Sequence, residues 1–188
     1  MTQKTDRHTS SALTISNNNY YMIIPKISIS VITATLFTTI LSPSAFAVTY
    51  DVNSIAELQT KVDGAVAGDE IILANGEYLN STIKIRSNSV TVRSATPGGA
   101  LLNGINEILI SGSHVKFSGF QFTSGSIPGV VITVSGNNNT LTQLNFDGYS
   151  AQKYINIQGQ YNDLTYSNFR NKPVEAPIGN SFTLLPAA

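Results

Sequence analysis

The chain has 188 residues, of which 41% are hydrophobic and only 12% are charged, and its formal net charge at pH 7 is zero. A protein that binds nucleic acid through its phosphates needs a basic patch, so this charge balance argues against a nucleic-acid partner. The chain has no cysteine, which excludes a disulfide framework and a thiolate metal site. Length and composition fit one globular domain of ordinary size.

Residues 1–47 have the features of an export segment. An apolar run follows Lys26 and leads to Ala45-Phe-Ala47, which is typical of a signal-peptide cleavage site. The run is shorter than the roughly 20 residues that a membrane-spanning helix needs. We therefore predict a signal peptide over 1–47, with Met22 as an alternative start. The mature chain, 48–188, is then secreted or periplasmic and not stably inserted in a membrane. An uncleaved membrane anchor is the alternative.

The first element of the mature chain is predicted to be a short helix. Ser54-Ile-Ala-Glu57 is a capping box, in which the serine caps the helix N-terminus and the glutamate reaches back to the chain before it. Apolar residues follow at helical spacing, and Gly64 ends the helix. The apolar face consists of Ile55, Leu58 and Val62.

Short strands and turns follow the helix. Gly68-Asp69 and Asn75-Gly76 predict turns on either side of a buried strand at Ile71–Leu73. Two further strands are predicted at Ile83-Lys-Ile85 and Val90-Thr-Val92, before a loop rich in proline and glycine at 96–99.

One pattern then occurs three times between Ile108 and Phe169. In each copy an alternating apolar segment ends in a glycine, and a phenylalanine follows that glycine at a constant distance. A fixed period in the twenties indicates one structural unit stacked on copies of itself. Apolar residues at alternate positions predict strands rather than helix. The glycine and phenylalanine pairs are Gly112/Phe122, Gly136/Phe146 and Gly159/Phe169, and the alternating pairs include Val115/Phe117, Phe120/Phe122 and Leu164/Tyr166.

We therefore predict an all-β fold, a right-handed parallel β-helix with one rung per repeat. The open end of such a stack exposes core and unpaired strand edges, so the short N-terminal helix is predicted to cover one end. Asn139 and Asn162 occupy equivalent places in their rungs and are predicted to hydrogen-bond along the axis. The rung before them has Val115 there, so this ladder is partial.

The C-terminal end departs from the repeat. Phe182-Thr-Leu184 begins a further rung in the pattern, but Leu185-Pro-Ala-Ala188 follows, and proline cannot donate a ladder hydrogen bond. We expect a β-helix domain over 48–188 that is incomplete at its C-terminus. Its open end would allow self-association.

The order of these motifs resembles the N-terminal region of the alginate lyase and chondroitinase B family, polysaccharide lyase family six. The matching segments are AGDEIILANGEY (67–78), VTVRSATPGG (90–99) and VKFSGFQF (115–122). Residues 160–172 are similar to the family's rung that ends in phenylalanine, two residues and lysine. The resemblance covers about residues 50–185 and only the first part of a full member, so the chain is interpreted as truncated.

The resemblance implies an activity and a cofactor. Members cleave alginate or dermatan/chondroitin-type polysaccharides by β-elimination, which requires a neutralised uronate carboxylate, a base for the C5 proton and an acid for the departing oxygen. In many members a calcium ion held by acidic residues and an asparagine neutralises the carboxylate. No position here matches the family's catalytic residues or calcium ligands, so we assign none, and Asp69-Glu70 is interpreted as a turn pair. The predicted function is a secreted lyase-like protein with an acidic polysaccharide as partner, inactive on its own.

Four residues are candidate substrate contacts. Lys172 matches the family's lysine, and with Arg170 it could face a sugar carboxylate; two solvated cations are the alternative interpretation. Asp147 and Tyr149 lie at the equivalent corner one rung earlier, where tyrosine could stack on a sugar ring; ordinary loop residues are the alternative. His114 is interpreted as a turn residue.

Two other functions stay open. One is a non-catalytic β-helix module that binds glycans or belongs to a surface protein. The other is a pectinase-like glycosidase, which needs paired carboxylates at a set separation. The rungs offer only Asp147 and Asp163, at different offsets from their glycines, so the glycosidase is the least favoured.

Overall fold

A computed structural model describes residues 46–173 of the chain. Parallel strands coil into a solenoid of about five turns, accompanied by one short helix, so the predicted all-β parallel β-helix is confirmed. The predicted signal peptide, except for its last two residues, lies outside the described residues, as do Met22 and the strand at Phe182-Thr-Leu184. Within the described range, no helix combines the length and the apolar character needed to cross a bilayer.

Three parallel walls, here called sheets A, B and C, enclose the core. The helix α1 spans Ile55–Asp63. The strands are β1 Thr49–Val52, β2 Glu70–Leu73, β3 Gly76–Leu79, β4 Thr82–Ile85, β5 Thr91–Ser94, β6 Ala100–Gly104, β7 Glu107–Ile110, β8 Lys116–Ser118, β9 Phe120–Val134, β10 Thr140–Thr142, β11 Asn145–Asp147, β12 Ser150–Ile157, β13 Asp163–Thr165 and β14 Asn168–Arg170. Sheet A has the strand order β1-β2-β5-β8-β10-β13, sheet B β3-β6-β9-β11-β14 and sheet C β4-β7-β9-β12.

The repeat phenylalanines stack through the core, as the sequence pattern predicts. Phe122, Phe146 and Phe169 occupy paired positions in β9, β11 and β14. Their ring centroids are 4.3 Å and 5.4 Å apart, close to the strand spacing of about 4.8 Å. The stack therefore fixes which rung lies on which, because a slip of one residue would turn the rings outward.

The helix covers the N-terminal end of the stack, and this prediction is confirmed. Ser54 Oγ accepts a hydrogen bond from the Glu57 N–H, and Leu58 and Val62 are fully buried. The carboxamide of Gln59 takes the place of a neighbouring strand, since it both donates to the Lys84 carbonyl and accepts from the Lys84 N–H. The edge of sheet C is thus blocked by a side chain.

All described residues with positive φ lie at the three corners where the chain passes from one sheet to the next. Corner A–B contains Gly98, Gly119, Gln143 and Tyr166; corner B–C contains Asn80, Gly104, Ser124, Gly148 and Asn171; corner C–A contains Gly68, Ser89, His114, Asn138 and Tyr161. The interpretation of His114 as a turn residue is therefore confirmed. The alternation assigned to Leu164/Tyr166 is wrong at Tyr166, which follows the strand, adopts φ 48° and is 91% exposed.

At corner C–A the predicted asparagine ladder is present and partial. Asn162 Oδ1 accepts from the Asn139 N–H, and Asn139 Oδ1 accepts from the Val115 N–H, where the ladder ends. The repeat glycines beside it allow close approach of successive rungs, because a Cβ on Gly136 would collide with the Gly112 carbonyl. Glycine is required here by space, since neither residue has positive φ.

Candidate functional site

The outer face of sheet B carries a row of carboxamides in register. Each amide precedes a core phenylalanine by one residue, so alternation places it on the outside of the wall. The row runs over three successive rungs and consists of Gln121, Asn145 and Asn168. A second row beside it consists of Thr123, Asp147 and Arg170.

A groove of about 440 Å³ lies between the carboxamide row and corner A–B. Its lining is formed by Pro97, Gly98, Gln121, Gln143, Leu144, Asn145, Tyr166 and Asn168. Carboxamides both donate and accept hydrogen bonds, and no carboxylate or cation lines this groove. It is therefore suited to a ligand rich in hydroxyl groups.

Tyr166 is the aromatic residue of the groove. It occupies the corner position that Gly119 and Gln143 hold in the two preceding rungs, where each N–H donates to the carbonyl of the next rung. A left-handed backbone costs a residue with a side chain about 1–2 kcal/mol, and the ring of Tyr166 gains no burial in return, being 91% exposed. The exposed ring provides a flat surface on which a sugar can stack.

The structure brings two of the predicted contacts together. Arg170 Nε lies 3.1 Å from Asp147 Oδ2, and Asn171 Nδ2 donates to Asp147 Oδ1 at 2.8 Å. The guanidinium is about half exposed, so it remains accessible to a ligand carboxylate from outside the wall. Asp147 holds and orients Arg170, a role that the sequence pattern did not predict.

Lys172 lies at the end of the described chain. Its Nζ is 5.4 Å from the centroid of the Tyr154 ring, a cation–π distance. Partial burial lowers the pKa of Lys172. Lys172 therefore contacts the aromatic core of the last rungs as well as the surface, whereas Arg170 belongs wholly to the outer face of sheet B.

Tyr149 is a core residue and offers no face to a sugar. Its ring is fully buried and meets Phe122 edge to face at a centroid distance of 6.2 Å. Its hydroxyl donates to the Gly104 carbonyl at 2.7 Å and accepts from the Asn106 N–H. Burial raises the pKa of Tyr149, and the hydrogen bonds with Asn106 act in the opposite direction. Tyr149, one of the predicted substrate contacts, is therefore packed in the core and does not reach the surface.

The groove residues were not predicted from the sequence, although the sequence contains a signal for them. Aligning the repeats on their phenylalanines puts an amide before each one and places Tyr166 at the position of Gly119 and Gln143. What the alignment could not show is that corner A–B opens into a groove.

The described residues do not fit the calcium ion that the family resemblance implies. Over residues 46–173, no three carboxylate or histidine side chains come together as ligands for a metal. Asp69 uses both carboxylate oxygens to accept from the Val48 and Val66 N–H groups, and Glu70 pairs with Arg93 at 2.6 Å. We derive no step through calcium.

The comparisons with known proteins agree with this architecture. The profile of a family described as Chondroitinase B matches residues 52–172, nearly the whole of the described solenoid. The chain is 25% identical to the PL6 family alginate lyase AlyGC, with a TM-score of 0.58, over 62% of this chain and 18% of that one. No curated protein matches it significantly.

Two more distant structures share the fold. A mannuronic acid specific family 6 lyase from human gut microbiota is 16% identical, with a TM-score of 0.58, over 62% of this chain and 33% of that one. A PL6 family polysaccharide lyase from Pseudopedobacter saltans is also 16% identical, with a TM-score of 0.54, over 69% of this chain and 40% of that one. The chain spans less than half the length of these solved relatives. With the profile covering well over half of its own residues, the chain belongs to the chondroitinase B family.

Proposed function

We propose that the chain is a secreted or periplasmic protein that binds an acidic, uronate-containing polysaccharide along the outer face of sheet B. The observation that carries the proposal is the match of the chondroitinase B profile to residues 52–172, the segment that forms the groove. The signal-like segment at 1–47 supports export. The reaction that the whole protein serves is β-elimination, as in family members that act on alginate or dermatan/chondroitin-type polymers.

Different residues of the binding surface contact different chemical groups of the polysaccharide. The carboxamides of Gln121, Asn145 and Asn168 hydrogen-bond sugar hydroxyls on three successive rungs, and Tyr166 stacks on one sugar face. Arg170 pairs with a uronate carboxylate, held in place by Asp147. Because these groups stand on stacked strands, the polymer runs along the solenoid axis.

In β-elimination a base removes the C5 proton, the C4–O bond breaks as the double bond forms, and an acid protonates the departing oxygen. The described residues bind the polymer, and we assign none of these proton transfers to them. We likewise assign no residue as the base or as the group that neutralises the carboxylate.

The test is to measure binding and cleavage on the same preparation. Purified protein, confirmed folded by circular dichroism, is titrated calorimetrically with oligomers of alginate and of dermatan sulfate, and with a neutral dextran oligomer. Absorbance at about 235 nm is followed with and without calcium, because the unsaturated uronate product absorbs there. We expect binding of an acidic oligomer, no binding of dextran, and no rise in absorbance. Failure to bind either acidic oligomer would overturn the proposal. A rise in absorbance would show that the chain itself cleaves the polymer and would overturn the assignment of binding alone.

A further inference from the structure

A second cavity lies on a different wall of the solenoid, the outer face of sheet C. Its volume is about 210 Å³, several times the roughly 30 Å³ that one water molecule occupies in the liquid. It therefore has room for a group larger than a single ion. The lining consists of Lys84, Arg86, Leu109, Ile110, Ser111, Thr133 and Ser135.

The lining residues form an ordered grid because the strands are in register. Lys84 in β4 pairs with Leu109 in β7, which pairs with Thr133 in β9. Two residues further along each strand direction stand Arg86, Ser111 and Ser135. The first rung thus supplies two cations and the next two rungs supply hydroxyl groups, with Leu109 between them. From Lys84 to Thr133 the grid extends about 10 Å, two strand spacings.

The two cations of this grid, Lys84 and Arg86, are available to a ligand. Lys84 is fixed through its backbone, since both its N–H and its carbonyl hydrogen-bond to the carboxamide of Gln59. In the described part of the chain, no ion pair involves the Lys84 ammonium group. Arg86 pairs with Asp63 at 3.5 Å, with both side chains more than half exposed, and such a surface pair is weak.

We propose that this grid is a second saccharide site, which binds a carboxylate-bearing sugar chain with its carboxylate at Lys84 and Arg86. The hydroxyls of Ser111, Thr133 and Ser135 then contact the sugar hydroxyls on the next two rungs, and Leu109 packs under the ring. The site is separate from the groove at corner A–B, which has no cation in its lining. The inference rests on the proposed function only for its choice of a uronate polymer as the ligand.

Two separate sites would hold the polymer on two walls. A chain bound at sheet C increases the local concentration of polymer at the groove, so the two sites together bind a long polymer more tightly than either one alone. A trisaccharide is too short to occupy both, and it therefore reports each site independently.

The experiment is a titration of the 15N-labelled protein with a uronate trisaccharide, followed by amide chemical shifts. We expect shifts at Ser111, Thr133 and Ser135, with maltotriose producing none. The double variant Lys84→Gln, Arg86→Gln should weaken binding at these amides by about tenfold or more, since it removes two charge-assisted contacts. The variant Lys116→Gln removes an exposed lysine from sheet A and should leave these shifts unchanged.

The outcomes separate this inference from the proposed function. Shifts at Gln121 and Asn145 with none on sheet C would overturn the second site and leave the groove assignment standing. Shifts on sheet C that persist in Tyr166→Ala would support the second site, whether or not the groove binds. Shifts at neither site would overturn both. A double variant that binds as tightly as the natural protein would also overturn the role of Lys84 and Arg86.

Discussion

Corners A–B and C–A are built from the same left-handed backbone but differ in what their exposed side chains do. At corner C–A the asparagine side chains accept from the N–H groups of neighbouring rungs, as Asn139 does from Val115. Corner A–B also joins its rungs through a side chain, since Ser167 Oγ accepts from the Leu144 N–H. Its exposed residues, Gln143 and Tyr166, in addition border a groove. One corner therefore serves mainly to hold the stack together, and the other both holds the stack and presents side chains to a ligand.

The comparison shows how a solenoid separates stability from function. Every rung repeats the same three corners, and each rung contacts only its neighbours, so the effect of a substitution falls mainly on the adjacent rungs. A protein of this kind can therefore keep one corner for cohesion and expose another for binding. We therefore expect substitutions at corner C–A to change the free energy of unfolding, whereas substitutions of the exposed groove residues at corner A–B should change binding as well.

The largest expected effect is at Gly136. Gly136→Ala places a methyl group against the Gly112 carbonyl, which is backbone and cannot move without separating two rungs. We expect a loss of about 3 kcal/mol or more in the free energy of unfolding, measured by urea denaturation. The matched control is Gly129→Ala, because a Cβ at Gly129 meets nothing within 4 Å. Equal losses for the two variants would contradict the close approach of the rungs.

A smaller loss is expected at Asn139. Asn139→Ala leaves the buried Val115 N–H without its acceptor, at a cost of about 1–3 kcal/mol in the free energy of unfolding. Asn137 is the control, because it makes the equivalent bond to the Gln160 N–H at the exposed surface, where water replaces a lost partner. If Asn137→Ala destabilised the protein as much as Asn139→Ala, burial would not be what gives the ladder its strength.

Much of this architecture could be predicted because it depends on local pattern. The spacing of Gly136 and Phe146 sets the rung length, and alternation around Phe117 and Phe122 assigns the core. The Asn139/Asn162 ladder follows once the repeats are aligned. Each of these inferences compares residues that occupy equivalent places, and parallel stacking brings equivalent places into contact.

The features that the sequence did not predict depend on contacts between residues at non-equivalent positions of the repeat. Tyr149 was predicted at the surface, but its ring passes Gly125 on the rung below and reaches Gly104 on the rung below that. The residue pattern of a single repeat cannot predict a contact that extends across two rungs. The groove could not be predicted from the sequence either, because a left-handed corner residue has the same backbone whether its side chain faces a neighbour or solvent. Tyr166 could be aligned with Gly119, but its exposure required the fold.

At corner A–B the expected change in stability is reversed in sign. Tyr166→Gly relieves a left-handed backbone and removes a ring that buries little, so we expect the free energy of unfolding to rise by about 0.5–1 kcal/mol. Binding of a uronate oligomer should weaken about five- to tenfold, since an exposed stacking contact is worth roughly 1 kcal/mol. Tyr161→Gly is the matched control, because it gives the same backbone relief at an exposed tyrosine of corner C–A and leaves the groove intact. A Tyr166→Gly variant that binds as well as the natural protein would show that the ring is no part of the site.

The smallest expected effect on stability is at Arg170, on the wall beside the groove. Arg170→Gln breaks an exposed ion pair with Asp147, so we expect a loss below about 1 kcal/mol in the free energy of unfolding. The affinity for a uronate oligomer should fall, and its dependence on salt concentration should become shallower, because one charge contact is lost. Arg93→Gln breaks the comparable pair with Glu70 on sheet A and should alter neither affinity nor salt dependence. If Arg93→Gln weakened binding as much as Arg170→Gln, the polymer would lie on sheet A, and the division between a cohesive corner and a binding wall would have to be drawn elsewhere.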